Sequence, residues 1–139
     1  MGAKVSTLFY CLGTDKQGDI NAPLNAVGIL PALTPEFIPS AFSFSIVIGI
    51  VGIKDDKVHT MDIIFKDNYG NPLVEAKSIN LPFNDANATG LDLPIEASGI
   101  MLGMDLKNVI LKENGMYSTS VTFDGVHLGD YDIYVKGKN

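Results

Sequence analysis

Arginine and tryptophan are absent from the 139 residues, cysteine occurs once and histidine twice, and the ten basic residues, all lysines, face sixteen acidic ones for a formal net charge of −6. Each shortage excludes something. A single cysteine, Cys11, permits no intrachain disulfide, and its neighbours Leu8, Phe9, Tyr10 and Leu12 mark it as a buried thiol rather than an activated nucleophile. An acidic chain without arginine and without a lysine cluster repels a phosphate backbone and an anionic lipid surface alike, so no nucleic acid and no membrane is expected as a partner. The longest apolar run, AFSFSIVIGIVGI at residues 41–53, falls short of the roughly 20 residues that a membrane-spanning helix needs. Lys54, Asp55, Asp56 and Lys57 close it abruptly. No charged-then-apolar leader opens the sequence, and with a lone thiol this predicts a cytoplasmic protein.

What is present is strand-forming alternation. In residues 41–53 one phase carries Phe42, Phe44, Ile46, Ile48 and Ile50 and the other Ser43, Ser45, Val47, Gly49 and Val51, the pattern of a central strand with one core face. Residues 5–12 and 24–30 read as strands that pair as a hairpin, joined by a polar turn beginning at residues 13–19. Pro31, Pro35 and Pro39 punctuate residues 31–40, which predicts a crossing between sheets, with Thr34 and Pro35 capping a single helical turn and Phe37 and Ile38 entering the core. Residues 58–67 alternate clearly, with His59, Met61, Ile63 and Phe65 on one face. After a turn at 68–71 comes a strand at 73–83, and residues 84–98 form a polar loop with a short strand around 91–95.

Toward the end of the chain, residues 100–112 and 116–123 flank Asn114-Gly115, and Asp124-Gly125 precedes a strand at 128–135. Such dipeptides tolerate positive φ and favour tight hairpins, so these residues predict a three-stranded antiparallel meander. The apolar phase shifts from Leu102, Met104 and Leu106 to Val109 and Leu111, which places a β-bulge near Lys107 or Asn108. About eight strands and no helix give an all-β antiparallel sandwich, Ig-like or jelly-roll-like, as one domain over residues 1–139. Its expected core holds Phe42, Phe44, Ile46, Ile48, Ile63, Phe65, Val121 and Phe123.

The Cys11 strand, the glycine-containing turn after it, Asn25-Ala-Val-Gly28-Ile29, the proline-marked crossing, Gly115-Met-Tyr117 and Asp124-Gly125 together give the chain a likeness. It resembles a family of small uncharacterised bacterial and phage β-sandwich proteins. The resemblance implies a fold and carries no activity or residue role.

The chemistry-bearing residues are sparse. Asp85, Asn87, Thr89, Gly90 and Glu96 match positions 1, 3, 5, 6 and 12 of a calcium loop, where oxygens surround a hard cation, but Asp92 and Pro94 break the pattern and the flanks read as strands. An ordinary polar loop is the stronger reading. His59 and His127 have Asp62 and Asp124 nearby in sequence, yet isolated histidines on separate strands are more often structural than metal-binding or catalytic. Catalysis would require one of them within reach of a second polar group in a deep pocket. No Gly-x-Ser-x-Gly elbow occurs, and Gly49, Gly52, Gly99 and Gly103 form no phosphate loop. The patterns Met1-Gly2…Ser6 for myristoylation and Asn87-Ala-Thr89 for glycosylation are short and common by chance. Asp130, Tyr131, Asp132 and Tyr134, with Tyr117, offer an aromatic and acidic face, against which stands the reading that Tyr131 is internal and Tyr134 a single exposed residue.

No catalytic, cofactor-binding or metal-ligating residue is therefore assigned. The sequence predicts a non-enzymatic binding or assembly protein acting through protein contacts, with a sandwich that sequesters a small ligand as the alternative. Homo-oligomerisation is expected because Val47, Val51 and Ile64 lie on faces that a two-layer sandwich leaves open, where a second subunit or the crossing at residues 31–40 could cover them.

Overall fold

The computed structural model describes residues 2–16, 24–53, 58–81, 94–97 and 99–139. Among them run nine strands: β1 (Lys4–Lys16), β2 (Leu24–Leu30), β3 (Ala32–Leu33), β4 (Ser40–Val51), β5 (His59–Lys66), β6 (Pro72–Leu81), β7 (Gly99–Leu111), β8 (Gly115–Phe123) and β9 (Val126–Val135). A short 3-10 turn, Ile95–Ala97, is the one helical piece among the described residues. Two sheets result, a four-stranded one in the order β2-β1-β4-β7 and a five-stranded one in the order β3-β9-β8-β5-β6. The two-residue β3 pairs parallel to β9; the other pairings are antiparallel.

Strand β4 sits between β1 and β7, as its apolar run demands, because a strand flanked on both edges and packed on one face has no place for charge. Phe44, Ile46, Ile48 and Ile50 are buried against Met61, Ile63 and Phe65 of β5 and Val121 and Phe123 of β8, and Phe42 packs partly buried beside them. The rings of Phe44 and Phe65 meet edge-on at 5.2 Å, and Tyr117 lies 5.9 Å from Phe65. Tyr10 of β1 ties the sheets together by a polar contact: its Oη lies 2.5 Å from Thr119 Oγ1 of β8 and donates to the Tyr131 carbonyl of β9 at 2.9 Å. Burial satisfied in this way pushes the phenol up to about 12, with the nearby Asp132 charge adding to the effect and the Thr119 hydrogen bond opposing it.

Several local expectations hold. Strands β1 and β2 pair as a hairpin, and the bulge falls at Asn108, whose φ of 55° accompanies a register shift between Phe42 and Phe44. Asp124 and Gly125, with φ of 48° and 81°, make the two-residue turn between Phe123 and Val126. That is the geometry in which both central residues take positive φ and the turn twist matches the strands.

Three expectations are corrected. Strand β7 does not pair with β8: it lies beside β4 in the other sheet, so the chain around Asn114-Gly115 is a corner between sheets and only β8 and β9 form a hairpin. The cause lies in side chains that hold the corner. Tyr117 Oη donates to the Glu113 carbonyl at 2.7 Å, and Asn114 Oδ1 accepts from the Gly137 amide at 2.9 Å. The tyrosine reaching back four residues is the device by which sandwiches fix such corners. Residues 13–16, read as turn, continue β1. The crossing after Pro31 does pass between sheets, but through β3 and a series of bends without a helical turn; Leu33 is its fully buried plug and Ile38 a partial one, while Phe37 is 58% exposed. Burying a leucine completely stabilises by about 2 to 3 kcal/mol, so Leu33 does what Phe37 was expected to do. Of the short strand around residues 91–95, 91–93 lie outside the described residues, and Ile95 opens the 3-10 turn.

The outer face of β4 is covered from within the chain around Ser45 and Val47, while Val51 and, on β5, Ile64 are half-buried. Val47 is only 1% exposed, and Cys11 and Ser45 beside it are also buried. Beyond its last pairing with β4, at Cys11 and Ser45, β1 arches over its own sheet, so that Thr14 Oγ1 donates to Asp105 Oδ1 of β7 at 3.1 Å while Ser45 donates to the same carboxylate oxygen. Thr14 and Leu24 also lie directly over Gly103, where any added Cβ would touch both. The hairpin β1–β2, and not the proline crossing, is the cover.

Candidate functional site

The two histidines are partnered differently from their order in sequence. His59 Nδ1 lies 2.6 Å from Asp124 Oδ2, and His127 Nε2 lies 3.3 Å from Asp130 Oδ1. Asp62, the sequence neighbour of His59, instead accepts the Ser78 amide at 2.7 Å. Antiparallel pairing of β5 with β8 brings the start of one strand beside the end of the other, which is why residues 65 positions apart meet. Asp124 is held from two more directions: its Oδ1 accepts the Thr60 amide at 2.9 Å and its own amide donates to the Thr60 carbonyl at 2.8 Å. The His59 ring stacks on Phe123 with centroids 5.1 Å apart.

A hollow of about 290 Å³ adjoins this pair, lined otherwise by Gly2, Ala3, Gly52, Ile53, Phe123, Val126 and Leu128. A carboxylate bonded to Nδ1 fixes the orientation of the imidazole ring. Among the described lining residues, however, none is a serine, threonine, cysteine or lysine that such a base could activate. The pair thus has the geometry of a staple between the start of β5 and the β8–β9 turn, beside an apolar hollow sized for a small ligand. Among the described residues no three histidine, cysteine or carboxylate side chains are placed to hold a metal. The loop at residues 85–96 falls outside the described residues up to position 93.

Cys11 is buried, donates to the Gly13 carbonyl at 3.3 Å, and has its thiol pushed up chiefly by burial. A protonated thiol in such a setting is a weak nucleophile. The aromatic and acidic face divides as the plainer reading has it: Tyr117 is buried, Tyr131 packs against the core, and Tyr134 is exposed with Asp130 and Asp132.

The surface feature that the sequence reading missed is the edge of the four-stranded sheet. Strand β2, LNAVGIL, is an outermost strand and carries no ionisable residue. Val27 and Ile29 are 59% and 64% exposed, and Leu12, across the ladder on β1, is 55% exposed. Gly28, at a φ of 69°, lies under the Leu12 side chain: a Cβ there would sit 2.8 Å from Leu12 Cδ1. An outermost strand turns half of its amides and carbonyls away from the sheet, and natural proteins ordinarily guard them with charge, proline or bulges. The absence of charge from residues 24–30, with Val27 and Ile29 in one phase, was the available signal.

A family model described as a family of unknown function, DUF6941, matches residues 10–136. No curated protein matches the chain. Among solved structures, the C-terminal domain of Wzt is similar at 14% identity and a TM-score of 0.49, covering 97% of this chain and 74% of that one. The CARDB domain of a Pyrococcus furiosus protein, solved in complex with di-metal ions, is similar at 10% identity and a TM-score of 0.38, covering 98% of this chain and 93% of that one.

Proposed function

The chain belongs to the family DUF6941, and we propose that it works without catalysing a reaction, as a binding or assembly module that holds another protein chain along strand β2. The observation that carries this reading is the uncharged edge with Leu12, Val27 and Ile29 exposed along it. A strand added there gains main-chain hydrogen bonds from the ladder and apolar contact from these side chains, the recognition mode of strand addition to a sheet edge.

Homo-oligomerisation belongs to the same proposal, moved from the outer face of β4, where the β1–β2 hairpin already covers Val47, to the β2 edge. The lone thiol and the family resemblance support a bacterial or phage source and a cytoplasmic setting. A second reading, sequestration of a small ligand, is favoured by the hollow beside His59 and Asp124. Native mass spectrometry of gently purified protein separates the two. The docking reading expects bare chains or chains bound to protein, whereas a stoichiometric small molecule lost on replacing His59→Ala would overturn it in favour of sequestration.

A further inference from the structure

Resting on that docking reading, we infer that the strand received by β2 is the β2 of a second copy of this chain, paired antiparallel about a two-fold axis through Val27. In that register Val27 faces its own equivalent, Ala26 faces Gly28, Asn25 faces Ile29 and Leu24 faces Leu30 of the partner. An interface on a two-fold axis must be self-complementary, because each subunit presents the same patch. Strand β2 meets that condition: apolar or uncharged side chains occupy all seven of its positions, so a copy laid on it in reverse brings no ionised group opposite another.

Charge favours this edge over the others. The chain carries a net charge of −6, so two copies repel wherever their acidic surfaces face each other. Strand β6 presents Glu75 and Lys77, β7 presents Asp105 and Lys107, and β9 presents Asp130 and Asp132, so a copy laid on any of these brings ionised groups into the contact and, on β6 and β7, avoids opposing like charges only in a register that sets unlike ones together. Among the described residues of the β1–β2 hairpin, the nearest carboxylate to the β2 ladder is Asp15, which pairs with Asn25. The two-fold sends the hairpin tips to opposite ends of the ladder. Asp15 of one copy and Asp15 of the other then lie on the order of 15 Å or more apart, beyond the screening length of about 8 Å at physiological salt.

Pairing joins the two four-stranded sheets into one continuous eight-stranded sheet and removes an open edge from each copy. The contact is small, at the low end of interface sizes, so association is expected on the order of 10 µM. Val27 and Ile29 supply the apolar part of the contact, and lysine at either places a charge on the axis or beside it.

The test is light scattering of the full chain over a concentration series, with two kinds of variant. Wild type is expected to move from 14.9 kDa to twice that mass as concentration rises. Val27→Lys is expected to weaken association at least about tenfold, with its thermal unfolding as a monomer unchanged. Val27→Cys should form an intermolecular disulfide under mild oxidation, since directly opposed Cα atoms of antiparallel strands are about 4.5 to 5.5 Å apart, within disulfide reach. Asn25→Cys and Lys77→Cys should not. A wild type that stays monomeric throughout, a dimer that Val27→Lys leaves intact, or cross-linking through position 25 or 77 in place of 27 would each overturn the inference. If wild type is monomeric, it is used as bait in its host extract beside Val27→Lys. A partner held by the first and lost by the second ends the second-copy inference alone, while equal capture or none ends the docking reading as well.

Discussion

Strands β2 and β6 are both outermost, one in each sheet, and they are treated in opposite ways. Strand β6 opens on Pro72, carries Glu75 and Lys77 paired at 3.3 Å, and loses register with β5 twice, with Ser78 held at a φ of 55° by the Asp62 carboxylate. Each of these features turns an open ladder away from a passing strand. Strand β2 keeps one register with β1 from Leu24 to Leu30, broken only at Gly28 with its φ of 69°, and has no proline and no charge. The same fold therefore guards one edge with proline and charge and leaves the other uncharged, and the docking proposed for β2 rests on that contrast.

The largest effect tests whether the two edges belong to one cooperative body. Tyr10 joins the sheet that ends in β2 to the sheet that ends in β6, and its phenol is pushed up to about 12 from 10.0 by burial. A phenol with a raised folded value releases its proton more readily when unfolded. Its contribution is therefore fully present below pH 10 and is lost as pH rises through about 12, a fall of about 2 to 3 kcal/mol. Urea unfolding across that range should show a clearly smaller loss in Tyr10→Phe than in wild type, and both edges should melt together.

Next in size, Gly28→Val places a β-branched residue at positive φ under Leu12 and is expected to destabilise the β2 edge by about 2 kcal/mol. Urea midpoints should fall accordingly, and an unchanged midpoint would mean that the edge is looser than its geometry. Asp62→Ala removes the acceptor for the Ser78 amide and is expected to cost about 1 kcal/mol while opening the β6 guard. New self-association of that variant, seen by sedimentation, would sharpen the comparison by showing that the guard had been suppressing contact. Ile29→Lys should change the stability of the monomer by no more than about 0.5 kcal/mol, because the side chain already points to solvent.

Much of the architecture was legible because period-two alternation depends on the chain alone. The core face of β4, the β1–β2 pairing, the Asn108 bulge and the Asp124-Gly125 turn all follow from local pattern. The misreadings share a different cause. Asn114-Gly115 and Asp124-Gly125 look alike as dipeptides, but the first is claimed by long-range partners, Gly137 on the Asn114 side chain and Glu113 on Tyr117, and becomes a corner between sheets. His59 meets Asp124 only because β5 and β8 pair, so no spacing in sequence announces it. The cover over Val47 depends on β1 continuing past its last contact with β4, and the polar Thr14 and Asp15 read locally as turn. The exposed edge went unnoticed because a strand without charges reads as interior until its neighbours are known.

The central claim is that β2, and not β6, receives another chain, and amide hydrogen exchange measured at low and high protein concentration tests it most directly. The amides of residues 24–30 are expected to exchange more slowly as concentration rises while those of residues 72–81 stay constant. Exchange in residues 24–30 that is independent of concentration, or slowing confined to residues 72–81, would contradict it.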